Sequence, residues 1–436
     1  MRQSHGATLL AGFLAMLPIA ARGADHTTLS LDPFLTLDAA ASGEKVTSPP
    51  ADGTEGYGLT GNGFGARNRL AAQGLFFAGF VQLDTTKVLR GGLDTEAWPI
   101  RYLLDLHLTA DTHAFGLPGG TVFFDFQSHD QSENGDRAVG DIQGFDNIES
   151  VRFVQIIQFW YKQRLADGVS LKVGKIDANA DASLPGADPF EGFSLIEHST
   201  EFLQSAAVYP SSMFPMVTYP DPAPGLQLFL GTSSLYAGLG AFYSNAHQTF
   251  LNLMGHPEHI ERTSGGMFFI GELGLRYPAD SPVLHAGVGA WYHNGEFPRI
   301  AMPESMATGA GGAYFFLDHT LFHDETAAAT RDLGVFFNAG IADSRTSPMD
   351  ASLALGISGK GFIPARPGDA FGLIGAWTRL PEQPGLLHPF ELATELYYKF
   401  QITPWASLKP SFAYIFHPSG INPDAAVITV RAQVDF

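Results

Sequence analysis

Most of the chain alternates apolar and polar residues with a period of two. In "RYLLDLHLTAD" (101–111), Tyr102, Leu104, Leu106 and Leu108 fall on one side, with Asp105, His107 and Thr109 on the other. Successive side chains of a strand leave on opposite faces, so such a segment has one greasy face and one wet face. "TVFFDFQSHD" (121–130) sets Val122, Phe124 and Phe126 against Asp125, Gln127 and His129. "GMFFIGELGLRYP" (266–278) opposes Phe269, Leu273, Leu275 and Tyr277 to Glu272 and Arg276. In "HPFELATELYYKFQITPW" (388–405), Phe390, Leu392, Leu396, Tyr398, Phe400 and Ile402 oppose Glu391, Glu395, Lys399 and Gln401. The chain closes on "VITVRAQVDF", where Ile428, Val430, Ala432, Val434 and Phe436 alternate with Thr429, Arg431, Gln433 and Asp435. About sixteen such segments, each of roughly ten residues, are separated by clusters such as "FGLPGG" (115–120) and "HPSGINPD" (417–424).

Sixteen amphipathic strands can pack as two sheets, as in a soluble sandwich or solenoid, or close as one sheet in a bilayer. Aromatic residues at many strand ends (Trp98, Tyr102, Trp291, Tyr292, Tyr397, Tyr398, Trp405) favour the bilayer, because aromatic girdles sit at its interfaces. The strand length suits a tilted span of roughly 9–11 residues, and closure satisfies every backbone group. The pattern therefore predicts an all-β fold, a transmembrane antiparallel β-barrel of about 16 strands.

The first residues fit that destination. Arg2 precedes an apolar run from Ala7 to about Ala21, with small residues at Ala21, Gly23 and Ala24. This is the layout of a secretory signal peptide. The expected organisation is 1–24 signal peptide, 25–73 periplasmic lead with a short amphipathic helix at about 64–73, and 74–436 outer-membrane barrel. The net charge of −19 argues against nucleic acid as a partner. With no cysteine there is neither a disulfide nor a thiolate site. Fifteen histidines are too scattered for a recognised metal spacing, so no metal and no cofactor are expected. Neither a Gly-x-Ser-x-Gly elbow nor a phosphate loop is present, which argues against an enzyme.

Four blocks, in order, resemble the carbohydrate-selective porin family of the OprB type. "GNGFGARNRLAAQGLFFAGFVQLDTTKVLRGG" (61–92) is similar to its opening block at Gly65, Arg67, Leu70, Gly74, Gly91 and Gly92. The Trp usual before the Gly-Gly turn is missing. "RFVQIIQFWYKQRLADGVSLKVGKID" (152–177) matches at Trp160, Tyr161, Gln163, Gly174 and Asp177. "KGFIPARPGDAFGL" (360–373) and "ELYYKFQITPWASLKPSFAYIFHPSG" (395–420) complete the set. The resemblance implies a sixteen-stranded channel in the Gram-negative outer membrane that passes glucose and related sugars without an energy source. It also implies contact with outer-membrane lipid and with the barrel-assembly machinery, for which the terminal Phe436 resembles the recognition signal. A homotrimer stays open, as does a general or organic-anion porin of the same build.

The polar face supplies the candidate path: Asp105, Asp125, Arg152, Trp160, Lys162, Glu272, Arg276, Glu395 and Lys399. Planar and charged groups of this kind bond neighbouring sugar hydroxyls in pairs. Arg152, Trp160 and Lys162 fall at i, i+8 and i+10, which period-two alternation puts on one face of one strand. The resemblance implies a basic and aromatic constriction, which favours this group. The long connection 182–210 reads as partly helical from Glu191 to Ala206. It is expected either to fold into the lumen or to remain outside as a plain loop.

Overall fold

A computed structural model describes residues 58–132, 138–150, 152–179, 192–214, 216–232, 234–244, 265–277, 283–326 and 329–436. The expected signal peptide and most of the lead (1–57) lie outside the described residues. A short helix, α1 (Ala66–Ala71), falls within the expected span.

Sixteen strands follow: β1 (Leu75–Arg90), β2 (Ile100–Asp111), β3 (Gly120–Gln131), β4 (Phe153–Ala166), β5 (Val169–Ile176), β6 (Ala223–Gly231), β7 (Leu235–Tyr243) and β8 (Met267–Tyr277). Then come β9 (Leu284–Arg299), β10 (Met302–Thr326), β11 (Ala329–Ala342), β12 (Ala351–Lys360), β13 (Ala370–Arg379), β14 (Phe390–Thr403), β15 (Ala406–Phe416) and β16 (Ala425–Asp435). Each pairs antiparallel with its sequence neighbours, and β1 closes on β16 with Thr85 opposite Val430. Phe436 donates its amide to the Gly79 carbonyl at 2.8 Å, so the last residue is tied to the first strand.

The faces follow the alternation. Leu396 is 56% exposed on the outer surface, while Glu391 and Glu395 between its neighbours are buried inside. Outside is apolar and inside is polar, the reverse of a soluble protein and what a lipid solvent demands. One end of the barrel carries the long connections (132–152, 177–222, 343–350, 380–389, 417–424). The other carries tight turns such as 167–168 and 404–405. In an outer-membrane barrel long loops face outward and short turns face the periplasm.

The interior departs from a plain water-filled tube. A large apolar cluster lies inside the wall. Phe193, Phe202 and Met213 of the β5–β6 connection pack with Phe229, Phe242, Phe268, Phe316, Phe336 and Tyr397 of the strands. The described stretch 192–214 of this connection is therefore folded into the lumen, and part of the lumen is a dry core. Helix is absent from its described part: residues 192–214 contain only the 3-10 turns Glu197–Ser199, Ser205–Ala207 and Ser211–Met213. The partial α-helix expected over 191–206 does not form over the described residues, whose amides bond sideways to the barrel wall.

Substituting Leu396→Arg places a charge on the lipid face of β14. It is expected to cost about 2–4 kcal/mol of barrel stability, read as a lowered urea midpoint in vesicles and loss of the heat-modifiable band. Normal folding of that variant would contradict the register.

Candidate functional site

The site is the lumen as narrowed by two inward connections. An extended chain inside a barrel must find acceptors for its amides, because an unpaired buried N–H is costly. Carboxylates on the inner wall provide them. Glu272 of β8 accepts from the Ser194 amide at 2.7 Å, and from the hydroxyls of Tyr236 and Tyr314, both at 2.7 Å. Asp318 of β10 accepts from the amides of Glu197 and His198. Glu395 of β14 accepts from the Leu203 amide at 3.0 Å and the Gln204 amide at 2.8 Å, with Ser411 Oγ at 2.9 Å. These amides point sideways to the wall, whereas a helix would commit them to carbonyls four residues back.

The connection 138–150 is held in the same way. Glu391 accepts from the amides of Ile142 (2.9 Å), Gln143 (3.1 Å) and Ser419 (2.7 Å). Asp146 binds Arg101 at 3.2 Å and Arg431 at 3.1 Å, and Arg431 also forks onto Asp84. The two connections touch where the Ser205 amide donates to the Gly144 carbonyl at 2.8 Å.

The wall is shaped to receive its guest. Gly238 and Gly240 of β7 lie under the Phe193 ring, so an added methyl would come within 2.9 and 3.0 Å of it. At Gly334 of β11 the same addition would lie 2.1 Å from Nε2 of His198.

Charge reinforces the fit. His198 sits between Asp318 and Asp332, with Nε2 2.8 Å from Asp332. Burial pushes its pKa down, but the two aspartates outweigh burial and raise it from 6.5 to about 9. Glu201 meets Lys399 and Lys409. Burial pushes its carboxyl up, yet Lys409 and Lys399 together hold it down at about 2.

The nine path residues named from the sequence divide into four groups. Glu272, Arg276, Glu395 and Lys399 anchor the inserted connection, with Arg276 donating to Glu197 at 2.9 Å. Asp105 and Asp125 lie on the inner wall of β2 and β3, accepting from Gln127 (2.6 Å) and Gln158 (3.4 Å) respectively. Trp160 is stacked on Phe123 at 4.9 Å, with the Lys172 ammonium 4.6 Å from its ring centre. It is only 7% exposed.

Lys162 lies two residues beyond, half-buried and opposite Thr121 and Lys172. Arg152 corrects the expectation. It precedes β4, and the register shifts between Asp125 and Phe126, leaving Ile157 as an extra residue in the ladder. Such a bulge moves every side chain before it to the other face. Arg152 is accordingly 71% exposed beside Asp130 and does not share the face of Trp160 and Lys162. Sequence reasoning missed Asp318, Asp332, His198, Glu201 and Lys409. The signal available was glycine on inward positions, as in "YAGLGAF" (236–242), which marks a wall that something packs against.

The pH dependence of the anchoring follows. The His198 contribution is complete below pH 6.5 and is lost as pH rises through about 9. The Glu201 contribution is complete above 4.5 and is lost as pH falls toward about 2. Protease cleavage within 192–214 is expected to stay slow from pH 5 to 7 and to accelerate near pH 9 to 10. His198→Ala should cleave faster at pH 7 and lose most of the rise. A cleavage rate that stays flat through pH 10 in the unsubstituted protein would contradict the ion pair.

Comparison with known proteins agrees with this geometry. The family model described as "Carbohydrate-selective porin, OprB family" matches residues 101–436. Porin B of Pseudomonas aeruginosa is 30% identical over 131 residues, covering 25% of this chain and 29% of that protein, so the alignment spans under a third of the relative. The high-pH structure of Pseudomonas putida OprB superposes with a TM-score of 0.72 at 18% identity, covering 89% of this chain and 100% of that one. Its low-pH structure gives 0.52 at 18% identity, covering 88% and 99%. At such identity the structures support the barrel fold alone, and the family model carries the assignment. The chain is an outer-membrane β-barrel that belongs to the carbohydrate-selective porin family, OprB.

Proposed function

We propose that this barrel passes glucose and related sugars by passive diffusion into the periplasm. The observation that carries the proposal is a wall-anchored segment that narrows the lumen and brings charged, planar groups to the narrowed part. Glu201 keeps 34% of its side chain exposed between Lys399 and Lys409, and Lys162 is a half-buried lysine of β4. Carboxylate and ammonium groups side by side can accept from and donate to neighbouring hydroxyls of one sugar. Water competes for the same groups, so binding stays weak enough to release, as conduction needs. Trp160, with its faces taken by Phe123 and Lys172, acts in this proposal as a support for the Lys172 side of the path. No cofactor is invoked.

The second proposal is selectivity for organic anions, favoured by the inward lysines Lys162, Lys172, Lys399 and Lys409. Planar-bilayer current with glucose on one side separates the two. For a sugar path, glucose should reduce the current, and Lys162→Met should weaken that block roughly tenfold, the worth of one charge-assisted hydrogen bond. No glucose block, with a reversal potential that Lys162→Met shifts strongly, would favour the anion proposal.

Phe436 is proposed as the assembly signal. Its deletion should lower the amount of heat-modifiable barrel in the outer membrane and leave precursor in the periplasm. Unchanged levels would contradict that role.

A further inference from the structure

We propose that a cleft at the long-loop rim, lined by Arg299, Arg345 and Arg379, binds the phosphorylated sugar headgroup of an outer-leaflet glycolipid. The cleft holds about 510 Å³, within the range of small-molecule sites. The rest of its lining includes Met302, Leu380, Pro381, Asp350 and Glu382.

Position comes first. Arg379 ends β13 on the outward alternation that runs through Leu373, Gly375 and Trp377. The register sets Arg379 opposite Ala351 and Phe390, and Ala351 opposite Ile341, which is 63% exposed on the outer surface. Arg379 therefore stands at the last row of the apolar band. Trp377, one outward position below, is of the type that marks the bilayer interface. The guanidinium begins about 7 Å further along the strand, at headgroup depth.

Construction comes second. Arg379 forks onto Asp350 through Nε (2.7 Å) and Nη2 (3.1 Å). Arg345 forks onto Asp343, with Nε 3.0 Å from Oδ1. The aspartates are themselves fixed, since the Asp343 amide donates to the Gly311 carbonyl and the Ala342 amide to the Asp350 carbonyl, both at 2.9 Å. The Ile300 amide at the tip of the β9–β10 hairpin donates to the Arg345 carbonyl at 2.9 Å, which brings Arg299 to the same place. Both forked side chains keep more than half their surface open, at 61% and 56%.

Chemistry selects the ligand. Each fork leaves further N–H donors of Arg345 and Arg379 unspent, and Arg299 adds a third guanidinium; such planar donors fit a phosphate. With Asp343, Asp350 and Glu382 the cleft carries as many carboxylates as guanidiniums, so it suits a headgroup whose phosphate meets the open N–H edges while its hydroxyls meet the carboxylates, rather than a bare anion. Glu382 offers an acceptor for a sugar hydroxyl, while Met302, Leu380 and Pro381 offer an apolar wall where the acyl chains begin. A bare anion would leave that wall unused. A sugar in transit would have no reason to stop on the outward side of the rim.

The test uses the purified full chain in phosphatidylcholine vesicles doped with a bisphosphorylated glucosamine-disaccharide lipid or with its dephosphorylated form. Lipid retained after detergent extraction is counted by native mass spectrometry. The unsubstituted protein should retain the phosphorylated lipid about tenfold better than the other. Arg299→Gln combined with Arg345→Gln should lose that preference, and Arg379→Lys, which keeps charge but loses the fork, should weaken it. All variants should keep the heat-modifiable barrel and the unsubstituted single-channel current, which separates a lost site from a lost fold. Equal retention of both lipids would overturn the proposal. So would retention unchanged in the double variant, or displacement of the lipid by millimolar free glucose.

Discussion

The architecture depends on one constraint: a chain folded inside a barrel has no neighbouring strand to satisfy its amides. Here the wall answers with carboxylates. Glu272, Asp318, Glu391 and Glu395 each accept from one or two amides of an inserted connection. Hydrogen bonds to a charged group contribute about 1.5–3 kcal/mol each, so two or three of them offset part of what the carboxylate loses on leaving water. The same residues that look from the sequence like a wet channel lining are, in the folded molecule, the sockets of an internal plug.

Two features make that arrangement self-consistent. Glycines at inward positions of β7 and β11 clear space for Phe193 and His198, so the segment approaches the wall more closely than side chains would allow. The aromatic cluster around Phe202, Phe336 and Tyr397 then removes water from around the anchors, which strengthens every charged contact left inside. The lumen is thereby divided. One sector, from β6 through β15, is filled, and it bears the proposed path at Glu201 and Lys399.

The barrel itself was legible because period-two alternation is enforced by the lipid. "HPFELATELYYKFQITPW" reads the same from sequence and in the sheet, with Leu396 outside and Glu395 inside. The expected homology blocks have structural reasons as well: in "KGFIPARPGDAFGL", Arg366 pairs with Asp369, which also accepts from the Gln401 amide at 2.9 Å and closes the β12–β13 turn. The interior was less legible. Nothing in "IIQFW" announces that Ile157 is an extra residue, and that single bulge moved Arg152 to the other face. The 192–214 segment has helix-compatible composition, but its amides are claimed by wall residues more than 70 positions away in sequence. Local propensity is blind to such partners. The role of Glu395 could be placed on the inner face from sequence, and its use as a socket could not.

The central claim is that wall carboxylates hold the inserted connections permanently. Amide hydrogen exchange of the folded protein in detergent or vesicles tests it most directly. The amides of Ser194, Leu203, Gln204, Ile142 and Gln143 should exchange as slowly as those of the neighbouring strands, and Glu395→Ala should selectively release Leu203 and Gln204 while β14 stays protected. Exchange of these five amides at the rate of an open loop, in a barrel whose strands remain protected, would contradict the account.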